Sequence, residues 1–244
     1  MRFRAVVAYD GTLYHGFQRQ SPEREPSIQG ELERALGKVI GRETTVLGSG
    51  RTDSGVHAQG QVIAFEAEWR HPVEALRRAL NATLADAVAI REIAVADGDF
   101  HPRYQARSRE YRYTIYNSSV RHPLYRLYAL HVDEPLSVEA MQAASRPLLG
   151  EHDFAAFGRP TAGESTVRTM YRVEVGAHPP WVEIDLEANS FLYRMVRSIV
   201  GALLEIGRGR MPVDRVEQIL KARDRSQALT TAPAHGLCLR RVVY

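Results

Sequence analysis

The chain is poor in cysteine and in long apolar runs, and each absence excludes a class of protein. Cys238 is the single cysteine among 244 residues, so neither an intrachain disulfide nor a cysteine-based metal site can form. No stretch approaches the roughly 20 apolar residues that a membrane span needs. The N-terminal run MRFRAVVAYDG is typical of a strand rather than of a signal peptide. We therefore expect a cytoplasmic protein that does not associate with membranes.

Lysine is also scarce, because Lys38 and Lys221 are the only lysines among 32 basic residues. A GC-rich genome would favour arginine in this way, and the net charge is only +3. The distribution is more informative. Between His101 and Tyr128 one acid, Glu110, is outnumbered by arginines and tyrosines, namely Arg103, Arg107, Arg109, Arg112, Arg121, Arg126, Tyr104, Tyr111, Tyr113, Tyr116, Tyr125 and Tyr128. Arginine forks bind phosphates and aromatic faces stack on unpaired bases, so this mixture favours looped or single-stranded RNA as a partner.

Hydrophobic residues make up 44% of the chain and charged residues 25%, as in ordinary globular domains. In the first half, the patterns predict strands at Phe3–Tyr9, Thr45–Leu47, Gln61–Phe65 and Val88–Val95, and helices at Ile28–Val39, capped by Ser27, and at Pro72–Leu80. In the second half, they predict strands at Arg109–Tyr116, Thr169–Val175, Val182–Leu186 and Leu237–Val243, and helices at Ser137–Leu149, Phe191–Ile206 and Pro212–Leu220.

A breaker-rich segment, Asp97–Pro102, separates the two halves. We assign residues 1–104 to an N-terminal α/β domain and residues 105–244 to a C-terminal α/β domain. The expected fold class is α+β or mixed α/β, with two lobes that are each a mostly antiparallel sheet with helices, like RRM halves. A cleft between two such lobes is the usual place for an active site.

The segment Gly48–Gly60 is the most unusual in the chain, because four glycines flank Arg51, Asp53 and His57. It lacks the Gly-Lys-Ser/Thr of a phosphate loop, and Asp53 stands where a dinucleotide-binding loop has its third glycine. The chain has no G-x-S-x-G elbow, and its nine histidines form no zinc motif, so we expect no metal. What remains is a carboxylate on a permissive loop beside an arginine that would keep it ionised. On physics alone such an aspartate is more often a turn former.

Seven sequence blocks, in order along the whole chain, support another interpretation of this loop. They are Tyr9–Gln20, GRTDSGVHA at 50–58, DFHPR at 99–103, REYRY at 109–113, GEHDF at 150–154, NSFLYRMVRSIVG at 189–201 and GLCLRRVVY at 236–244. Together they resemble the tRNA pseudouridine synthase A (TruA) family, whose GRTDxGVHA signature contains the catalytic aspartate. Phe17 is a mild departure, since tryptophan is frequent there in the family.

The resemblance implies an isomerase that converts uridine to pseudouridine at positions 38, 39 and 40 of the tRNA anticodon stem-loop. Asp53 would be the catalytic residue and tRNA the partner. The reaction is redox-neutral, so we expect no cofactor. The family is homodimeric, which implies a homodimer here. Whether Asp53 attacks C1′, attacks C6 or acts through a glycal-like intermediate stays open.

Tyr111 and Arg197 are the next candidate site residues. Strand alternation places Tyr111 on one face with Tyr113 and Ile115, where a core role is the alternative to function. The resemblance implies that Tyr111 stacks on the target uracil. Apolar residues surround most of the helix that contains Arg197, so its guanidinium should enter the interior or a cleft and need an anionic partner.

The resemblance implies that Arg197 pairs with Asp53, and Glu187 is the alternative partner. By the same resemblance Arg51, beside Asp53, helps to turn the base out of the stack, although a simple phosphate contact is equally compatible with its sequence context. We expect His57 to be structural.

Two other functions fit parts of the pattern. A non-catalytic RNA-binding module with two RRM-like sheets would explain the arginines and tyrosines without chemistry. A metal-dependent hydrolase could use Asp53 with His57 and His101.

Overall fold

The computed structural model of the chain describes residues 1–19, 26–160, 163, 165–227 and 231–244. Gln20, the last residue of the first resemblance block, lies outside these ranges. The chain forms two compact units, the first comprising Met1–Arg107 with Cys238–Tyr244 and the second Ser108–Leu237. The terminal strand, which the sequence assignment counted with the domain 105–244, thus lies with the first unit. The domain boundaries themselves stay a prediction.

In its described residues, the first unit is a mostly antiparallel sheet with two α-helices. Its elements are β1 (Arg2–Tyr9), α1 (Ile28–Ile40), β2 (Leu47–Gly48), β3 (His57–Glu66), α2 (Val73–Asn81), β4 (Val88–Val95) and β10 (Leu237–Val243). β1 pairs antiparallel with β3 and β4, and β2 pairs antiparallel with β3. β10 is the exception, because it runs parallel to β3 through Cys238↔His57 and Leu239↔Ala58.

Local sequence explains most of this unit. β1 alternates strictly, with Phe3, Ala5, Val7 and Tyr9 buried, as expected for a strand with one face on a core. The predicted capping of α1 is confirmed, because the Ser27 side chain accepts a hydrogen bond from the Gly30 N–H.

The part of the second unit that the structure describes is also mostly antiparallel, with three α-helices. Its elements are β5 (Ser108–Asn117), β6 (Leu130–Val132), α3 (Val138–Ser145), β7 (Gly150–Asp153), β8 (Val167–His178), β9 (Trp181–Ala188), α4 (Met195–Gly207) and α5 (Arg215–Ala222). β9 lies between β5 and β8, β8 pairs with β7, and all three pairings are antiparallel. β6 runs parallel to β5. The mixed α+β fold class predicted from the sequence is confirmed.

The predicted helix at Phe191–Ile206 begins four residues later, at Met195. The backbone of Tyr193 is already occupied, since its N–H donates to the Arg159 carbonyl at 2.8 Å. Arg194 then takes a left-handed conformation with φ 65°. A right-handed helix therefore cannot continue from the preceding residues into α4.

Helix α3 is shorter than predicted, because a 3-10 turn at Arg146–Leu148 follows it. Pro147 has no N–H to continue the α-helical ladder. The last helix begins at Arg215 rather than at Pro212. None of the helices in the described ranges has both the length and the hydropathy to cross a lipid bilayer.

Candidate active site

Asp53 lies between β2 and β3 in the first unit and is half-buried. Its carbonyl accepts a hydrogen bond from the Val56 N–H at 3.1 Å, which closes a tight turn. Gly55 supplies the positive φ of 77° that the third position of this turn requires. The carboxylate is therefore carried by a defined turn.

The segment before Asp53 is held by a buried glutamine on β3. Gln61 is fully buried, its Oε1 accepts from the Ser49 hydroxyl at 2.6 Å, and its Nε2 donates to the Gly50 carbonyl at 3.0 Å. The Ser49 N–H also donates to the Val62 carbonyl at 2.8 Å. Gln61 thereby fixes two consecutive loop residues to the sheet.

Thr52, immediately before Asp53, is held from two sides by the N-terminal segment. Its hydroxyl and that of Tyr9 form a buried hydrogen bond of 2.8 Å. Its carbonyl accepts from the Phe17 N–H at 3.1 Å. The phenylalanine that stands in place of the frequent tryptophan is itself buried.

Beyond Asp53 the same N-terminal segment holds the loop again. The Tyr14 carbonyl accepts from the Gly55 N–H at 3.4 Å and from the Ser54 hydroxyl at 3.2 Å. Nδ1 of the buried His57 accepts from the Gly11 N–H at 3.1 Å. These contacts give His57 a structural role at the start of β3.

Two glycines let the backbones approach this closely. A Cβ on Gly11 would lie 2.1 Å from the Val56 carbonyl oxygen. Gly16 has φ 96°, and a Cβ there would lie 2.7 Å from the Thr52 carbonyl oxygen. The glycines of the N-terminal segment therefore serve close packing of one loop on another.

Residues 9–17 thus form a cradle for the loop that carries Asp53. From the sequence, Tyr9 was predicted to end the first strand, and residues 10–17 indicated only the family. Their glycine and aromatic spacing was the available signal, but it did not reveal which segment they contact.

Tyr111 lies in the second unit, on β5 opposite Leu186 of β9. The predicted alternation is confirmed, because Tyr111, Tyr113 and Ile115 are all buried. The Tyr111 ring meets Phe191 edge-on, with centroids 5.2 Å apart. Phe191 lies in the non-helical segment before α4, so the later start of that helix helps to place this aromatic pair.

Arg197 lies in the first turns of α4 and is half-buried. Its Nε donates to the Ala232 carbonyl at 2.7 Å, and its own carbonyl accepts from the Ala232 N–H at 2.9 Å. Next to Ala232, the Pro233 carbonyl accepts from the Tyr113 hydroxyl at 2.9 Å. Burial raises the pKa of Tyr113, while the positive charge of Arg197 lowers it by a smaller amount. One side of the guanidinium is thus oriented by the backbone.

Arg51 and Glu187 are the remaining residues that the sequence analysis named. Arg51 is exposed in the loop of the first unit. Glu187, the alternative partner of Arg197, accepts a hydrogen bond from the Ser108 hydroxyl at 2.6 Å. The pairing of Arg197 with Asp53 stays a prediction.

The described part of the chain contains no group of three or more His, Cys, Asp or Glu residues arranged to hold a metal ion. His101, one of the proposed ligands, accepts from the Arg103 N–H through Nδ1 at 3.2 Å and packs against Tyr104.

The chain is similar to known proteins over nearly its whole length. A family profile described as tRNA pseudouridine synthase matches residues 5–105 and 144–244. Proteins named tRNA pseudouridine synthase A are similar over nearly their full lengths. The one from Brevibacillus brevis is 45% identical over 244 residues, covering 100% of this chain and 99% of its own. That from Moorella thermoacetica is 46% identical over 246 residues, covering 99% and 98%.

Among solved structures, the archaeal box H/ACA sRNP Nop10-Cbf5 complex aligns with a TM-score of 0.37 and 12% identity. This alignment covers 83% of the chain but only 44% of that protein. The family assignment rests on sequence, through the profile match to both halves and the relatives of matching length. The chain therefore belongs to the tRNA pseudouridine synthase family.

Proposed function

We propose that this protein isomerises uridine to pseudouridine in tRNA, at positions 38, 39 and 40 of the anticodon stem-loop. The observation that carries this proposal is the full-length match to tRNA pseudouridine synthases, together with an aspartate in the family signature held on a fixed, half-buried turn. A non-catalytic RNA-binding module would not require the many contacts that hold the loop of Asp53 in one conformation.

The reaction breaks the N1–C1′ bond of the nucleotide, turns the uracil and rejoins it through C5. No electrons are gained or lost. The base must first leave the stack to reach the protein. The Asp53 carboxylate then acts at the sugar or base as nucleophile, or stabilises charge and moves a proton if the path runs through a glycal.

The other candidate residues support this step in different ways. We assign Tyr111 to stacking on the target uracil, and Arg51 to helping the base out of the stack. Arg197 would pair with Asp53 and keep its carboxylate ionised. Because Nε of Arg197 already donates to Ala232, the Nη donors are the ones expected to meet the carboxylate.

Recognition of three neighbouring positions requires contacts to RNA shape and backbone rather than to base sequence. Binding should therefore weaken steeply as salt concentration rises. We place this activity in the cytoplasm, where tRNA is modified.

We further propose that the protein works as a homodimer, as the family resemblance implies. The segment between β5 and β6 exposes large apolar side chains, with Val120 69%, Leu124 75% and Tyr128 51% exposed. Such a patch is typical of a protein interface. Sedimentation should give twice the monomer mass, and Leu124→Glu should shift the protein toward monomer. A monomeric wild-type protein at micromolar concentration would contradict the dimer.

Release of tritium from C5-labelled uridine in an unmodified tRNA transcript tests the activity, because C5 must lose its hydrogen. Asp53→Asn preserves the shape of the side chain and removes its charge. It should lower release by more than about a thousandfold while tRNA binding is retained. Asp86→Asn, at an exposed aspartate of the same unit, is the matched control and should keep full activity.

Other outcomes separate the alternative functions. Tight tRNA binding without tritium release by the wild-type protein would favour the binding module. Loss of a base or a strand, detected as a change in tRNA mass, would favour a hydrolase. Parental activity in Asp53→Asn would refute the assignment of the catalytic residue.

A further inference from the structure

Three arginines of the second unit, Arg159, Arg194 and Arg225, form a group that we call the arginine cluster. Arg159 is joined to Tyr193 by an isolated antiparallel bridge. The guanidinium carbon of Arg194 lies 5.0 Å from the centre of the half-exposed Tyr193 ring. Arg159 and Arg194 therefore both contact Tyr193, immediately before α4.

Arg225 completes the cluster from the turn after α5. Its Nη1 atom is buried and has no hydrogen-bond partner among the described residues. Burial, followed by the positive charges of Arg159 and Arg194, lowers the pKa of Arg225. A buried donor beside two like charges is costly unless an anion satisfies it.

Two aspartates among the described residues of this unit, Asp224 and Asp153, already accept hydrogen bonds. Asp224 accepts from the Ser226 N–H at 2.8 Å and from the Ser226 hydroxyl at 2.6 Å. Asp153 accepts from the Thr166 hydroxyl at 2.6 Å. The second oxygen of Asp153 lies 3.8 Å from Nε of Arg223. Among the described residues, neither carboxylate therefore forms an ion pair with an arginine of the cluster, and an anion from outside the chain could bind there.

The backbone conformation of Arg194 also favours binding of an anion at the cluster. Arg194 has φ 65°, a left-handed conformation that is uncommon for a residue with a Cβ. It is the N-cap of the 13-residue helix α4 and makes no capping hydrogen bond with its side chain. The guanidinium is instead directed over Tyr193, next to a helix end that attracts negative charge.

We propose that the arginine cluster binds one phosphodiester group of the RNA backbone. Guanidinium forks match phosphate geometry with two parallel hydrogen bonds. A small rotation of the Arg225 side chain would bring its unpartnered Nη1 donor to the phosphate. Arg197 lies three residues after Arg194, on nearly the same side of the helix. A phosphate held here would therefore fix the RNA strand beside a residue assigned to the reaction. The inference rests on the proposed function, since it names a backbone contact of the same substrate.

The test compares variants that remove the cluster's charge with one that removes charge elsewhere in the same unit. The first is the double variant Arg159→Gln with Arg225→Gln. The control is Arg146→Gln, at an exposed arginine after α3. Binding of an unmodified anticodon-arm RNA is measured across a series of salt concentrations. The double variant should raise Kd about tenfold at low salt and reduce the slope of log Kd against log salt by about one.

Arg194→Gly separates binding from folding. Glycine adopts a positive φ without steric cost, so this variant should match or exceed the wild-type melting temperature while it weakens RNA binding. A purely structural cluster would give the opposite result, with lower stability and unchanged affinity.

Phosphate-ethylation interference identifies the group that is bound. Ethylation of one backbone phosphate should weaken binding to the wild-type protein and have no effect on binding to the double variant. Identical interference patterns and identical salt slopes in the two proteins would overturn the proposal. Failure of the proposed function is distinguishable, because it would abolish tritium release by the wild-type protein whatever these binding curves show.

Discussion

Gly11→Ala should impair catalysis by moving the turn that carries Asp53, without removing any chemical group. The new Cβ would lie 2.1 Å from the Val56 carbonyl oxygen, whereas ordinary contact begins at 3.4 Å. One backbone must therefore retreat by about 1.3 Å. Because the Val56 N–H closes the turn on the Asp53 carbonyl, that displacement is transmitted to Asp53. A misplacement of about 1 Å can lower the rate of the chemical step about a hundredfold.

Overpacking of this kind also costs about 1–3 kcal/mol of stability, so the assay must separate the two effects. The rate of tritium release at saturating tRNA reports catalysis, Kd reports binding and thermal melting reports folding. Gly98→Ala is the matched control, since its Cβ would meet nothing within 4 Å. We expect the rate to fall about a hundredfold while Kd changes little and the protein stays folded at the assay temperature. A folded Gly11→Ala protein with the parental rate would refute the idea that the cradle positions Asp53.

Three further predictions concern stability. Gln61→Leu removes the hydrogen bonds that Gln61 makes to the Ser49 hydroxyl and the Gly50 carbonyl, so chemical denaturation should show a loss of about 1–3 kcal/mol; an unchanged midpoint would contradict the anchoring role. The hydrogen bond from Arg34 lowers the pKa of Glu31 below its ordinary 4.5, so its stabilising contribution is present at neutral pH and disappears as the pH falls through the lowered value. Glu31→Gln should therefore flatten the acid limb of the stability profile, and a profile parallel to that of the wild type would exclude this cause. Tyr113→Phe removes the hydrogen bond to the Pro233 carbonyl and should cost about 1 kcal/mol in denaturant titration, which a stability equal to that of the wild type would rule out.

Local patterns were sufficient for much of the fold. Strands β4 and β10 were predicted to the residue, because each is a short, largely apolar run with a glycine near one end, Gly98 after β4 and Gly236 before β10. The Ser27 cap and the burial of alternate residues on β5 were equally readable, since capping and strand pleating depend on near neighbours.

Prediction failed where a contact distant in sequence decided the backbone. The start of α4 was placed too early because helical spacing continues through residues 191–194. The bridge from Tyr193 to Arg159 and the left-handed conformation of Arg194 prevent a helix there. The pairing of the terminal strand with β3 was similarly invisible, since periodicity does not say which strand is the neighbour.

The sequence by itself determined the family, the signature aspartate and the mixed α+β fold class, because signatures, periodicities and caps are written in short stretches of residues. Only the tertiary structure decided how Asp53 is supported. The residues that hold its turn come from the N-terminal segment and from β3, and they meet the loop through backbone approaches that glycine permits and that no local pattern specifies. The arginine cluster arose in the same way, since residues from three separate segments combine their charges only after the chain has folded.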